Sequence, residues 1–185
     1  MTSATTYPQL TGEYTLDAAH SRIGFVARHA MVTKVRGSFN EFTGAATIDG
    51  DAPEKSSVQV TIQAHSIDTR NADRDGHLKS NDFLSMDEYP QITFTSTEIK
   101  QTGDTSFEVT GDLTIKDVTK SITFPLEFQG AVKDPFGNDR IGFEGSTTIS
   151  RKDYGITWNA ALETGGVLVS DKVTLEFEIS AIKSA

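Results

Sequence analysis

Apolar residues recur at every second position through most of this chain, and that period admits few folds. Val58, Val60, Ile62 and Ala64 alternate with Gln59, Thr61, Gln63 and His65. Phe107, Val109, Leu113 and Ile115 alternate with Glu108, Thr110, Asp112, Thr114 and Lys116, with Gly111 on the apolar side. The same pattern runs through Ile122, Phe124, Leu126 and Phe128, and again through Val173, Leu175, Phe177 and Ile179. Weaker copies lie at 23–27, 35–39, 42–48, 92–99 and 141–149. Period two marks strands with one buried face.

Turn residues separate the strands at Asp49-Gly50, Thr102-Gly103-Asp104, Asp117-Val118-Thr119 and 134–138. A short helix is predicted near residues 71–81, around Asp73, Arg74, His77 and Leu78, and an irregular stretch at 153–170. Strand after strand of this kind requires one enclosed apolar interior, made by two packed sheets or by one sheet closed on itself. The expectation is an all-β fold, an extended antiparallel barrel of eight strands. About eight strands enclose just enough room for side chains or one small ligand. Composition is even along the 185 residues, so 10–185 reads as a single domain after a flexible N-terminus at 1–9.

Composition narrows the chemistry. The chain has 17 Lys+Arg against 26 Asp+Glu and no cysteine. Disulfides, thiolate nucleophiles and cysteine metal sites are thereby excluded. The acidic balance argues against nucleic acid as a partner, since such binders need a concentrated basic stripe. No run approaches the roughly 18 apolar residues of a membrane span. Met1 to Leu10 lacks the basic and apolar regions of a secretory signal, so the expected compartment is the cytoplasm.

Motifs for catalysis are weak. Asn71, Asp73, Asp75, Gly76 and Asp82 have the spacing of a calcium loop, but Asn opens it, Asp closes it and a strand precedes it. A capped surface helix is the better reading. The histidines His20, His29, His65 and His77 have no metal-ligand spacing along a strand, although local pairs Asp17/His20 and Asp75/His77 would orient an imidazole. No Gly-x-Ser-x-Gly elbow or phosphate loop occurs, and Gly165-Gly166 alone is a weak signal. Neither a catalytic group nor a cofactor or metal is therefore assigned. Arg22, Arg28, Arg74, Arg140 and Arg151 stand near strand ends, where guanidinium groups hold anions or simply face solvent.

Several segments resemble one family in the right order from about residue 12 to 182. They include Asp17-Ala-Ala-His20-Ser21-Arg-Ile23-Gly-Phe25, Gly37-Ser-Phe39, Arg74-Asp75-Gly-His77-Leu78, Tyr89-Pro90 and Gly111-Asp-Leu113-Thr114-Ile115. Ser150-Arg151-Lys-Asp153-Tyr154-Gly155-Ile156 and Thr157-Trp158-Asn159 complete the set. Together they are similar to the YceI-like family of bacterial proteins, with departures at Asp117 and Ser170, where the family often has glycine. The resemblance implies a lipocalin-like barrel with a lipophilic tunnel. It also implies a long ligand of polyisoprenoid, isoprenoid quinone or similar amphiphilic type, and a homodimer.

The tunnel lining expected from the inward phase is Phe25, Phe39, Phe42, Phe94, Phe124, Phe128, Phe143 and Phe177. Leu78, Phe83, Met86 and Trp158 are expected at the mouth, and His29, Arg74, His77 and Arg151 nearest a headgroup. The favoured reading is carriage, storage or sequestration of such a lipid. Two others stay open: an enzyme acting on the lipid through Asp75 and His77, and a solid-core barrel serving as an interaction module.

Overall fold

A computed structural model describes residues 7–162 and 166–184. Eleven strands follow one another: β1 (Gly12–Leu16), β2 (Arg22–His29), β3 (Thr33–Phe39), β4 (Phe42–Ile48), β5 (Ser57–Gln63), β6 (Ile67–Asp68), β7 (Gln91–Gln101), β8 (Ser106–Ile115), β9 (Val118–Lys133), β10 (Asp139–Ser150) and β11 (Lys172–Lys183). One helix, α1 (Ala72–Lys79), interrupts them between β6 and β7. No helix among the described residues is long and apolar enough to cross a membrane.

The eleven strands make eight antiparallel staves. One edge of β11 carries β1 against Ala181, Ile182 and Lys183 and β2 against residues 174–178, so β1 and β2 are halves of one stave. Likewise β3 and β4 pair with β2 and β1, and β5 and β6 pair with β4 and β3. The β1–β11 pairing closes the ring into an eight-stranded antiparallel barrel. Breaks in the first three staves lie side by side and are sealed by local hydrogen bonds. Asp17 accepts from the Ala19 amide at 3.2 Å, the Asn40 amide reaches the Ser66 carbonyl at 3.1 Å, and the Ser66 hydroxyl donates to the Gln63 carbonyl at 2.7 Å.

Two strands escape the periodicity argument. In β1 only Tyr14 and Leu16 are left to show the alternation, and β6 is two residues long. The turn expected at 117–119 sits earlier: Lys116 and Asp117 adopt left-handed φ of 52° and 62°, and Val118 already pairs with Ile115. That is the twist-matched two-residue hairpin. Of the expected loose N-terminus, residues 1–6 lie outside the described residues. Tyr7 is tied down: its amide reaches the Gly50 carbonyl at 2.7 Å and its ring meets Phe128 edge-on at 5.5 Å.

Helix α1 starts where the sequence supplies a cap. The Asn71 side chain accepts from the Arg74 amide at 3.0 Å, Asp73 and Asp75 occupy the first turn, and His77 and Lys79 the last. Connectivity sets two ends of the barrel. One gathers the start of β1 and the β4–β5, β7–β8 and β9–β10 turns. The other gathers the β2–β3 turn, α1, the β8–β9 turn and residues 151–162 and 166–171.

Arg140 holds the wall together near the first end. Its Nη1 donates to Asp17 Oδ2 at 2.7 Å and its Nε to Asp134 Oδ2 at 2.7 Å. The hydrogen bond from Arg140, then that from His20, holds the Asp17 carboxyl below its ordinary value. At Asp134 desolvation pushes upward, but hydrogen bonds from Arg140, Asn138 and Phe136 outweigh it and bring the carboxyl down to about 2. Depressed carboxyls stabilise the fold above their unfolded pKa and lose that contribution as pH falls through the folded one. The cluster is therefore complete above about pH 4 and fades towards about pH 2. Acid unfolding of Arg140→Gln, followed by circular dichroism, is expected to show a shallower loss across that window from a lower starting stability; an unchanged slope would contradict the clamp.

Candidate ligand cavity

Inward side chains do not fill the barrel. A cavity of about 350 Å³ remains, within the range of small-molecule sites. Its presence explains a pattern in the burial: Phe25, Phe94, Leu175 and Phe177 point inward yet stay only half-buried, because their inner faces look onto empty space. Seven of the eight expected phenylalanines form the wall, namely Phe25, Phe39, Phe94, Phe124, Phe128, Phe143 and Phe177. Rings link across strands, Phe94 to Phe124 at 5.5 Å and Phe124 to Phe177 at 5.1 Å, in the tilted geometry aromatic pairs prefer. Phe42 is the exception. It faces inward and is 7% exposed in the cluster with Ile62 and Ile67, but unlike those two it does not line the cavity.

Two glycines explain how large rings fit so closely to the sheet. The Phe25 ring lies over Gly37 and the Phe94 ring over Gly111, where any Cβ would run into them. A bare backbone position beneath a cross-strand phenyl ring lets the ring lie against the wall instead of across the hollow. Gly111, on the apolar side of its strand, is thus a seat for a wall residue.

At the helix end the wall is completed by Leu78 and Phe83. Met86 and Trp158, also expected at the mouth, sit behind that layer and do not line the cavity. Trp158 meets His77 at 4.6 Å and Phe83 at 5.4 Å, so it packs the outer side of the cap. Met86 is packed against the same core cluster.

Of the four residues expected near a headgroup, only Arg151 reaches the cavity wall. It is 4% exposed. Its Nε donates to the Ser170 carbonyl at 2.8 Å, and its Nη1 to the carbonyls of Ile156 at 3.0 Å and Trp158 at 2.8 Å. Burial pushes its pKa down, against the opposing field of Asp171, 3.7 Å away. The guanidinium is committed to fastening the 151–171 segment. Beside it, burial and then Asp153 push the Tyr154 phenol up to about 12.

The other three are elsewhere. Arg74 donates from Nε to Thr69 Oγ1 at 2.8 Å and from Nη2 to the Thr69 carbonyl at 2.7 Å. His77 Nε2 meets Asp82 at 2.8 Å rather than Asp75. His29 is exposed at the end of β2. Asp75 accepts from the amide and hydroxyl of Thr69 at 2.8 and 2.5 Å, which makes it a clasp for the loop before α1. Proximity to a strand end, the signal that marked Arg74, reports a turn as readily as a mouth. His20 meets Asp17 at 2.8 Å, the local pair expected from the sequence, and His65 meets Glu41 at 2.9 Å.

The family model for the YceI-like domain matches residues 14–181, nearly the whole barrel. The chain belongs to the YceI-like family. A UPF0312 protein of Staphylococcus aureus is 43% identical over 171 residues, covering 91% of this chain and 95% of that one. The crystal structure of Burkholderia cenocepacia BcnA is similar with a TM-score of 0.79 at 25% identity, covering 89% of this chain and 98% of BcnA. A polyisoprenoid binding domain from Saccharophagus degradans, implicated in plant cell wall breakdown, has the same fold with a TM-score of 0.71 at 18% identity, covering 92% of this chain and 98% of its own.

The wall of this YceI-like barrel also contains residues the aromatic argument passed over. Leu16, Ile23, Val60, Leu113, Ile122 and Ile179 are among them. Apart from Leu16, on the short β1, they stand in the same inward phase as the phenylalanines, so the same alternation that marks the rings marks them too. At the end opposite α1, Tyr7, Gly50, Pro53 and Ser57 border the cavity, in segments whose sequence reads only as tail and turn.

The role given to Arg151 has a direct consequence. Arg151→Leu leaves the carbonyls of Ser170, Ile156 and Trp158 without their donor, which is expected to destabilise the fold by about 3 kcal/mol in urea unfolding. Retained stability would show that the guanidinium is not the fastener.

Proposed function

We propose that this YceI-like barrel binds a long lipophilic molecule, a polyisoprenoid or similar amphiphile, and holds it for carriage or storage without transforming it. The observation that carries the reading is a hollow whose wall is made of inward aliphatic and phenyl side chains. Such a wall gains affinity as ligand surface leaves water, about 0.8 kcal/mol per buried methylene. A chain of isoprene units supplies that area with little need for polar contact. The shared fold of the Saccharophagus degradans polyisoprenoid binding domain supports the same choice of ligand class.

Selectivity follows from what the wall lacks. The charged side chain of its wall at the helix end, Arg151, already serves four backbone carbonyls. The cavity therefore reads length and girth, while a polar headgroup stays at an opening, in water. Binding in this mode tolerates different headgroups and discriminates against short chains.

A series of prenyl alcohols of increasing length, titrated by calorimetry, tests this. Affinity is expected to rise at least about tenfold for each added isoprene unit until the hollow is full. Val60→Trp, which fills space at an inward half-buried position, is expected to cost less than the roughly 1–3 kcal/mol of overpacking a solid core while lowering affinity at least tenfold. Flat affinity across the series, or full binding by Val60→Trp, would defeat the proposal.

A further inference from the structure

Charge in this acidic chain is unevenly placed. Between Ala18 and Asn40 the sequence contains Arg22, Arg28, Lys34 and Arg36 and no Asp or Glu, although the whole chain has 26 acids against 17 Lys+Arg. Most of this stretch is the β2–β3 hairpin. Arg28 and Lys34 stand directly opposite each other in its register, with Arg36 in the same outward phase two residues on. All three are exposed, and among the described residues none has an ion-pair partner. Like charges directly opposite on a sheet repel. Both side chains are exposed, so an anion from outside can reach them and would relieve that repulsion.

The tip of the same hairpin is apolar. Met31 is 62% and Val32 74% exposed. Val167, 40% exposed, is near them, since Met31 packs against Gly166. Ala30 and Met31 hold left-handed φ of 52° and 64°, as the central pair of the tight turn closed by the Val32 amide on the His29 carbonyl at 3.1 Å, which places Met31 and Val32 at its apex.

The hairpin is also the rim of the cavity. The Ala30 amide donates to the Leu168 carbonyl at 2.7 Å and the Ser170 amide to the Arg28 carbonyl at 3.1 Å. His29 bridges Val169, and both Val169 and Ala27 line the hollow.

We infer that the β2–β3 hairpin docks this barrel on an anionic lipid bilayer. Arg28, Lys34 and Arg36 meet headgroup phosphates, Met31 and Val32 enter the boundary between headgroups and chains, and the cavity rim is brought to the lipid. The inference rests on the ligand class proposed above. The acidic remainder of the surface is repelled by the same bilayer, which orients the barrel with this face down. Screening confines each effect to about 10 Å at ordinary salt, so a local basic patch acts despite an acidic total.

Sedimentation with vesicles tests it. The full chain is expected to pellet with phosphatidylcholine vesicles containing about one third phosphatidylglycerol, to ignore pure phosphatidylcholine, and to be released at high salt. Each cation near the surface contributes a factor of about five in partitioning, so Arg28→Ser with Lys34→Ser lowers binding by about 25-fold. Met31→Ser with Val32→Ser lowers it at least about fivefold at unchanged charge. Prenyl alcohol affinity measured in solution is unchanged in both variants. If that affinity were absent while vesicle binding held, the ligand reading would fall and the docking would stand. Failure of the unaltered protein to pellet, or equal pelleting by the charge variant, would overturn the docking. So would hairpin-dependent self-association in sedimentation velocity without vesicle binding.

Discussion

Backbone hydrogen bonding along β11 is the constraint on which the rest of the structure depends. This strand pairs with β10 along one edge and with both β1 and β2 along the other, and the β1 contact closes the ring. The ring closes through β1, whereas beyond β3 and the two-residue β6 the sheet keeps a free edge; the width of the closed part is set by the number and tilt of the staves rather than by the size of the side chains inside. The hollow is a consequence. Eight staves fix a diameter that phenylalanines lying flat over Gly37 and Gly111 do not span, so the apolar interior needed for folding also leaves space for a guest.

The two ends are finished differently. Towards the first, the Asp17–Arg140–Asp134 cluster fastens the β9–β10 turn to the break after β1 through charged hydrogen bonds on the outside of the wall. At the other, α1 and residues 151–162 lie over the opening, held by Arg151 and by the contact of His77 with Trp158 and Phe83. Polar side chains are thus used as fasteners at both ends. Their commitment to the fold leaves the middle of the barrel apolar and is the physical reason a headgroup finds little to bind there.

Most of the strands and the helix were legible in the sequence because a one-sided strand must alternate and a helix needs a cap such as Asn71. The two overlooked strands, β1 and β6, were too short to show a period. What alternation cannot report is how far the inside is filled. Phe42 and Phe94 carry the same inward signal, yet Phe42 sits in a packed cluster and Phe94 faces the hollow, a difference set by position along the barrel. Polar residues were harder still. Arg74 and His77 are satisfied by Thr69 and Asp82, five residues away in each case, and only the three-dimensional course of the loops around α1 shows that they are taken.

The central claim is that the hollow is occupied by a lipophilic chain. Native mass spectrometry of protein purified without detergent, followed by solvent extraction, tests it most directly. A stoichiometric added mass that extracts as a long apolar molecule is expected, or its appearance when apo protein is incubated with a long prenyl alcohol. An apo mass that stays unchanged after that incubation would contradict it.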